Sequence, residues 1–378
     1  MTHSAPSSLP PTIEMASSEL NEQDIQAVMN VMTSGRLALG PQITAFEEAM
    51  AQYVGVRHAV AVNSGTAALH LMVRALGLGP GDEVLVPSFT FAASVNVLLY
   101  EGVTPVFVDI TPDTYNLDPE DLERRRTPRT RAVMVVDVFG HPAPWTELLA
   151  FAERYGLELL DDCCEALGSR YQGVPLGRLG AAGAFAFYPN KQITTGEGGM
   201  LVTDRDDIAA QARSMRNQGR GEMGAWLEHE RLGYNYRMPE LSAALGTSQL
   251  TRLDRFVAER AAVAARYDGL LTGVEGVRAP VVRPGVDMSY FVYVVTLLGA
   301  PDRDRVMAGL QARGIPSRGY FAPIHQQPYL RPYLDTPPSL PVTEDAARRT
   351  LALPFHTALS PEAQETVVQA LREVVAGA

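Results

Sequence analysis

Phe185-Ala-Phe-Tyr-Pro-Asn-Lys191-Gln-Ile-Thr-Thr-Gly-Glu-Gly-Gly-Met200 carries the only lysine of a 378-residue chain. Lysine and arginine together number 32, so nearly every position that needs only a positive charge holds Arg. That exchange costs little on a solvated surface. It fails where a primary amine must lose its proton and attack a carbonyl, because a guanidinium stays charged and is a poor nucleophile. Lys191 is therefore a candidate Schiff-base residue, set against the alternative of an Arg-rich coding preference that spared one lysine by accident.

Residues 181–187 and 199–203 read as strands on either side of this stretch. Upstream, residues 58–62, 83–86, 104–109, 132–136 and 157–160 are short apolar runs. Helical patterns separate them: from Ser64-Gly65-Thr66 to about residue 76, then 91–100, 119–125 and 144–155. Strands alternating with helices at this spacing indicate an α/β fold with a mostly parallel sheet covered on both faces. Before them, residues 21–33 form a helix with Asn21 as its cap, and a second helix follows Pro41. From Met238 a long helix is expected over 239–270. A strand at 290–297 and helices at 302–313 and 361–375 then suggest a smaller α/β domain. The division is placed between 1–254 and 255–378.

Composition bounds the function. Apolar residues make up 46% and charged residues 20%, as in a soluble globular protein. A net charge of −11 argues against a nucleic-acid surface. Residues 1–15 are polar and Pro-rich, without the basic start and apolar run of a signal peptide. No 18-residue apolar segment exists to span a membrane. The two cysteines, Cys163 and Cys164, are adjacent, a poor geometry for a disulfide and too few for a metal site. A reducing cytoplasm is the expected compartment.

In a parallel sheet, ligands bind beyond the carboxyl ends of the strands. Ser64-Gly65-Thr66 lies between a strand and a helix, where free N–H groups and hydroxyls make an anion seat, although the same residues also serve as an ordinary helix cap. It has neither the Walker nor the dinucleotide fingerprint. Asp162 closes the strand before it, as a ligand carboxylate or a turn residue. Phe91 follows another strand end, as a stacking face or a core residue. Anion seat, acid, aromatic plane and unique lysine together suit pyridoxal phosphate. Its phosphate, pyridine nitrogen, ring and aldehyde need one each.

These motifs, together with Gly40-Pro41, Asn63-Ser64-Gly65-Thr66-Ala67-Ala68-Leu69, Pro87-Ser88-Phe89-Thr90-Phe91, Asp162-Cys163-Cys164-Glu165-Ala166-Leu167-Gly168 and Leu232-Gly233-Tyr234-Asn235-Tyr236-Arg237-Met238, resemble the DegT/StrS-type nucleotide-sugar aminotransferases over nearly the whole chain. The resemblance implies a fold-type I pyridoxal-phosphate transferase, with a mixed seven-stranded sheet between helices and a small C-terminal domain. It implies that Lys191 carries the cofactor and shuttles the proton, Asp162 pairs with the pyridine nitrogen, and Phe91 stacks on the ring. Glu165 would stand near the ring hydroxyl, Gly65 and Thr66 on the phosphate, and Asn235 would reach the phosphate of a neighbouring subunit in a homodimer with shared sites. Many relatives carry Ser where this chain has Ala186, so one phosphate hydroxyl is missing, with Ser64 or a water as its replacement.

The run Asn190-Lys191-Gln192-Ile193-Thr194-Thr195-Gly196-Glu197-Gly198-Gly199 is similar to perosamine-synthase-like members, which aminate carbon 4 of a nucleotide-linked 4-keto-6-deoxyhexose with glutamate as donor. Amination at carbon 3 and an aminoshikimate-type dehydratase are the enzyme alternatives. A ligand-sensing regulator on the same fold is the non-enzyme alternative, disfavoured by the intact Lys191, Asp162 and Phe91. Tyr320, His325 and Arg318 in the Gly- and Pro-rich loop 318–325 are candidate sugar or diphosphate contacts, with backbone-satisfying roles as the competing account. Arg216, Arg220 and Arg237 are further candidates for an anionic substrate.

Overall fold

The computed structural model describes residues 13–221, 228–299, 302–334 and 336–377. The reading of the polar start therefore lies, up to residue 12, outside the described residues. Helix α1 (Glu22–Ser34) begins with a reciprocal cap: Asn21 accepts from the Asp24 amide, and the Asp24 carboxylate accepts from the Asn21 amide. Helix α2 (Pro41–Val54) opens on proline and buries Ile43, Phe46 and Met50. Strand and helix then alternate through β1 (His58–Val62), α3 (Gly65–Ala75), β2 (Glu83–Pro87), α4 (Ala93–Tyr100), β3 (Thr104–Val108), α5 (Pro119–Arg125), β4 (Thr130–Val136), α6 (Trp145–Tyr155) and β5 (Glu158–Asp162). The short β6 (Arg170–Tyr171) and β7 (Val174–Pro175) lead to β8 (Ala182–Ala186), β9 (Gly199–Thr203) and α7 (Asp206–Arg216).

The seven longer strands form one sheet in the order β1-β9-β8-β5-β4-β2-β3. β9 runs against both its neighbours, and the other pairs are parallel. A parallel neighbour needs a crossover, which the helices supply. The lysine stretch instead turns straight back from β8 into β9, which makes that pair antiparallel. One face packs Leu69, Met72, Val97, Ile208 and Met215. The other packs Phe46, Met50, Trp145 and Phe185. This is the expected α/β class. Its topology brings the carboxyl ends of β1, β2, β4, β5 and β8 to one edge.

The single helix expected over 239–270 is two, α8 (Glu240–Leu250) and α9 (Leu253–Leu271). Arg252 leaves helical geometry at φ −114°, ψ 4°. From there its guanidinium reaches the buried Asp24 of α1 at 2.6 Å. Asp24 also accepts from Ser248 at 2.7 Å and Gln249 at 2.8 Å. A buried carboxylate must find such partners, and that demand outweighs helix continuity.

Beyond α9 come β10 (Val277–Arg278), β11 (Val286–Asp287), β12 (Tyr293–Leu297), α10 (Arg303–Gln311), α11 (Pro341–Arg349), β13 (Thr350–Leu353) and α12 (Pro361–Ala376). β10, β12 and β13 form a second, antiparallel sheet, and β11 pairs with β6. Tyr267, Tyr293, Leu351 and Leu371 lie in the core of this part. Leu253 and Phe256 of α9 pack in the first core, whereas Val263 and Tyr267 pack in the second, so one helix joins both. No helix among the described residues is long and apolar enough to cross a membrane.

A buried acid pair ties β4 to β5. Asp137 accepts from the Ala143 amide at 2.7 Å and the Trp145 indole at 3.2 Å, and Asp161 accepts from the Gly177 amide at 2.8 Å. Asp137 Oδ2 and Asp161 Oδ1 are buried without another partner, which fits one proton shared between the two carboxyls. Burial, reinforced by the charge of Asp161, pushes Asp137 well above the usual carboxylate range. Burial pushes Asp161 up to about 6. An unfolded Asp titrates near about 4. Above that value the folded chain holds more protons than the unfolded chain, so this pair's contribution to stability declines as pH rises from about 4 to 6 and beyond. In Asp137→Asn an amide keeps the same acceptor and donates permanently to Asp161. The melting temperature of the variant is expected to gain on the native chain between pH 5 and pH 8. Parallel curves over that range would contradict the shared proton.

Candidate active site

The strand ends enclose a cavity of about 430 Å³, lined by Ser64, Gly65, Thr66, Phe91, Asp162, Glu165, Ala186, Lys191 and Tyr320 among others. That is the size of a small-ligand pocket. At its floor α3 begins. Ser64 is extended and its hydroxyl oxygen accepts from the Ala67 amide at 3.1 Å. The amides of Gly65 and Thr66, in the first turn, have no acceptor within the helix. A Cβ at Gly65 would sit 2.6 Å from the Ala186 Cβ. A Cβ at Gly199 would sit 2.3 Å from the Ser64 carbonyl oxygen. The Gly-Gly pair after the lysine therefore lets β9 pass directly beneath the anion seat. Ala186 offers this seat no donor, while the hydroxyl residues Ser64, Thr66 and Thr90 line the cavity.

Asp162 is 5% exposed. It accepts from the Ser94 hydroxyl at 2.6 Å and the Cys164 amide at 3.1 Å. Phe91 precedes α4 rather than lying inside it, and 66% of the residue is exposed, so its ring is no part of the core. Lys191 Nζ lies 3.8 Å from the centroid of the Phe291 ring and 3.9 Å from Glu165 Oε1. Glu165 also accepts from the Phe139 amide at 2.9 Å. Burial raises the Glu165 carboxyl above its usual range, and the Lys191 charge opposes that rise.

The loop candidates separate. Tyr320 lines the cavity, and its phenol is pushed up by burial and by Glu165, against the charge of Arg318. Arg318 is exposed, and its backbone pairs with Ala352 at 2.7 and 3.2 Å. His325 stands outside the lining: its side chain is 1% exposed, 2.7 Å from the Ser88 hydroxyl and 3.5 Å from Glu344. Burial lowers its pKa. These contacts fit the loop-anchoring account that competes with a sugar contact for His325. His325 anchors the 318–325 loop to the end of β2, because a buried imidazole takes the nearest partners. Arg216 is likewise committed, to Glu47 and the Ala61 carbonyl. Asn235 is exposed and outside this cavity, its main chain held by Asn63 and Asn217.

The residues present fit pyridoxal phosphate. An amine whose ion-pair partner, Glu165, lies 3.9 Å away, a buried carboxylate, an uncovered aromatic face and free helix amides each match one part of the cofactor. Sequence reasoning overlooked the residues that hold the lysine. Gln192 donates to the Glu165 carbonyl at 2.7 Å and the Ser289 hydroxyl at 2.9 Å. Thr194 donates to the Phe187 carbonyl at 3.1 Å. Their targets are main-chain or distant groups, which no local motif announces.

A lone amine and a buried carboxylate lining one such pocket are the equipment of enzymes that exchange amino groups through an aldehyde cofactor, the aminotransferase class. The chain belongs to the DegT/DnrJ/EryC1/StrS aminotransferase family, whose model matches residues 18–372. It is 40% identical over 374 residues to the GDP-perosamine synthase of Caulobacter vibrioides, covering 97% of this chain and 99% of that one. It is 38% identical over 363 residues to the dTDP-3-amino-3,4,6-trideoxy-alpha-D-glucose transaminase of Streptomyces venezuelae, covering 96% and 94%. Among solved structures, the aminotransferase TlmJ of Streptoalloteichus hindustanus superposes with a TM-score of 0.91 at 34% identity, covering 97% of this chain and 99% of that one.

Proposed function

We propose that the cavity holds pyridoxal 5'-phosphate and that the enzyme moves an amino group from glutamate to carbon 4 of a nucleotide-linked 4-keto-6-deoxyhexose, in the cytoplasm, for amino-sugar and polysaccharide biosynthesis. The observation that carries the reading is that the chain's solitary lysine, Lys191, and the buried Asp162 line one cavity. When bound, the cofactor supplies an aldehyde that exchanges with amines and a ring that accepts the electron pair released beside the nitrogen. Asp162 keeps the pyridine nitrogen protonated. The amides of Gly65 and Thr66 and the adjoining hydroxyls hold the phosphate. Phe91 covers one ring face, and Glu165 stands toward the ring hydroxyl. Lys191 Nζ takes the proton from carbon in one half-reaction and returns it in the other. Tyr320 and Arg318 contact the sugar nucleotide. Asn235, exposed and aimed at no group in its own cavity, serves the phosphate of a second subunit in a homodimer with shared sites.

Carbon 4 is preferred because of the sequence that follows Lys191 and the perosamine-synthase relative. The 3-amino-sugar relative favours carbon 3 as the second reading. The test is incubation with glutamate and either a GDP-linked 4-keto-6-deoxyhexose or a dTDP-linked 3-keto-6-deoxyhexose. Release of 2-oxoglutarate and NMR placement of the new amine at carbon 4 support the proposal. Turnover of the 3-keto sugar alone replaces it with the second reading.

Gly199→Ala tests the anion seat. The new Cβ would drive the Ser64–Gly65 turn off β9. Overpacking of this kind costs about 1–3 kcal/mol, so the dissociation constant for the cofactor is expected to rise about tenfold or more. Titration of the apo-protein measures it, and an unchanged constant would contradict the placement of the phosphate.

A further inference from the structure

Arg260 of α9 is 4% exposed, and among the described residues no carboxylate lies within ion-pair distance of it. Its guanidinium donates to main-chain carbonyls: Tyr290 at 3.1 Å, Phe291 at 3.4 Å and Lys191 at 3.4 Å. It also lies 5.6 Å from the Phe355 ring centroid. Burial pulls its pKa down to about 10, which leaves the charge in place at neutral pH. Burying a cation without an anion is costly, so a side chain kept there must do what an apolar residue of similar length cannot. The three carbonyls say what that is. One belongs to Lys191 itself. Another belongs to Phe291, whose ring lies 3.8 Å from the lysine amine. A single planar fork fixes both the lysine and the surface its amine rests on, which the compact head of a lysine could not span.

A second tie runs in parallel. The Gln192 amide donates to Ser289 at 2.9 Å. The Ser289 and Ser169 hydroxyls are 2.8 Å apart, and Ser169 is 2.6 Å from the Gly140 carbonyl. These contacts run from the lysine loop through Ser289 and Ser169 to the turn after β4. The chain around Lys191 is thus set from α9 and residues 289–291, not by β8 and β9 alone.

We propose that Arg260 is a positioning residue for Lys191, holding its main chain against residues 290–291 so that the amine meets the cofactor carbonyl on a fixed approach. The inference rests on the reading of Lys191 as the reacting amine. A misplacement of about 1 Å at a reacting group can cost about 100-fold in rate. Because Lys191 is the only lysine of the native chain, borohydride reduction followed by peptide mass spectrometry counts the cofactor adduct at one known position, and in Arg260→Lys the adduct is counted on the peptide that holds Lys191.

The experiment compares native protein, Arg260→Met, Arg260→Lys and Val263→Ala. The last removes buried carbon from the same helix without touching the carbonyls. The readouts are melting temperature, the rate of adduct formation after cofactor is added to apo-protein, and kcat and KM for glutamate. Arg260→Met is expected to slow adduct formation and kcat by about 10- to 100-fold with KM for glutamate nearly unchanged. Arg260→Lys is expected to recover part of both. Val263→Ala, at a comparable loss of melting temperature, is expected to leave both rates native. Native rates in Arg260→Met, or equal slowing in Val263→Ala, would overturn the proposal. Should Arg260→Met fail to fold, the folded Arg260→Lys decides the matter: fully native rates would overturn it. No adduct at Lys191 in the native protein would instead sink the underlying reading of the lysine.

Discussion

Replacing Lys191 by alanine is expected to lower the rate of amino transfer by about 10⁴-fold or more, with the fold intact. On the proposed reading two functions leave with the amine, the covalent hold on the cofactor and the proton transfer at carbon, and proton transfer alone accounts for about 10²–10⁴-fold in typical enzymes. Nothing nearby replaces it. Glu165 is the nearest charged neighbour, 3.9 Å from Nζ, and it has no amine with which to hold the cofactor covalently. Lys191→Arg is the sharper variant. It keeps the charge and fills the site, in a chain that uses Arg at every other cationic position. It should be as inactive as alanine, because a guanidinium neither loses its proton at working pH nor attacks a carbonyl. Substantial activity in Lys191→Arg would mean that the lysine contributes charge, not chemistry. Single-turnover reaction with glutamate measures both variants.

Asp162→Asn carries the second-largest expected effect, a fall in kcat of about 10²–10³-fold. That is the range for removing one fixed electrostatic group from a reacting centre. The substitution is nearly isosteric, and an amide oxygen can still accept from the Cys164 amide, now 3.1 Å from the carboxylate. On the proposed reading, what is lost is the negative charge that would hold a proton on the pyridine nitrogen, and with it the capacity of the ring to take up electrons. Cofactor is expected to bind and react with Lys191, while the step that breaks the carbon–hydrogen bond slows. A deuterium isotope effect on the glutamate half-reaction should therefore grow in the variant. An unchanged kcat would remove Asp162 from the cofactor.

Much of this site was legible because its chemistry is written in residue type. A solitary lysine, an acid at the end of β5 and a Ser-Gly-Thr turn at the start of α3 each announce themselves. The sequence left Phe91 open between core and ligand face, and its exposure answers the first half of that question. Glu165 and Asn235 came only from family resemblance, since an acid three residues past a strand or an Asn between tyrosines has no spacing signature of its own. His325 looks like a ligand contact because it is a polar residue in a Gly- and Pro-rich loop; its partner Ser88 is 237 positions away. Arg260 and Gln192 were out of reach for a related reason, as their targets include main-chain carbonyls, which every residue possesses. Tertiary demand also broke the 239–270 helix, through an Asp24–Arg252 pair 228 positions apart. β13 went unseen because it follows α11 without an intervening turn. α7 carries Asp206 and Asp207 in its first turn and Arg213 and Arg216 in its last, helix signals that a reading centred on strands passes over.

The most direct test of the central claim is the absorbance spectrum of the purified protein with pyridoxal phosphate, before and after glutamate, beside Lys191→Ala. The account predicts a band at roughly 410–430 nm that glutamate moves to roughly 330 nm, and no such lysine-dependent band in the variant. A native protein that shows no band, or one that glutamate leaves in place, would contradict the assignment of this cavity to amino transfer.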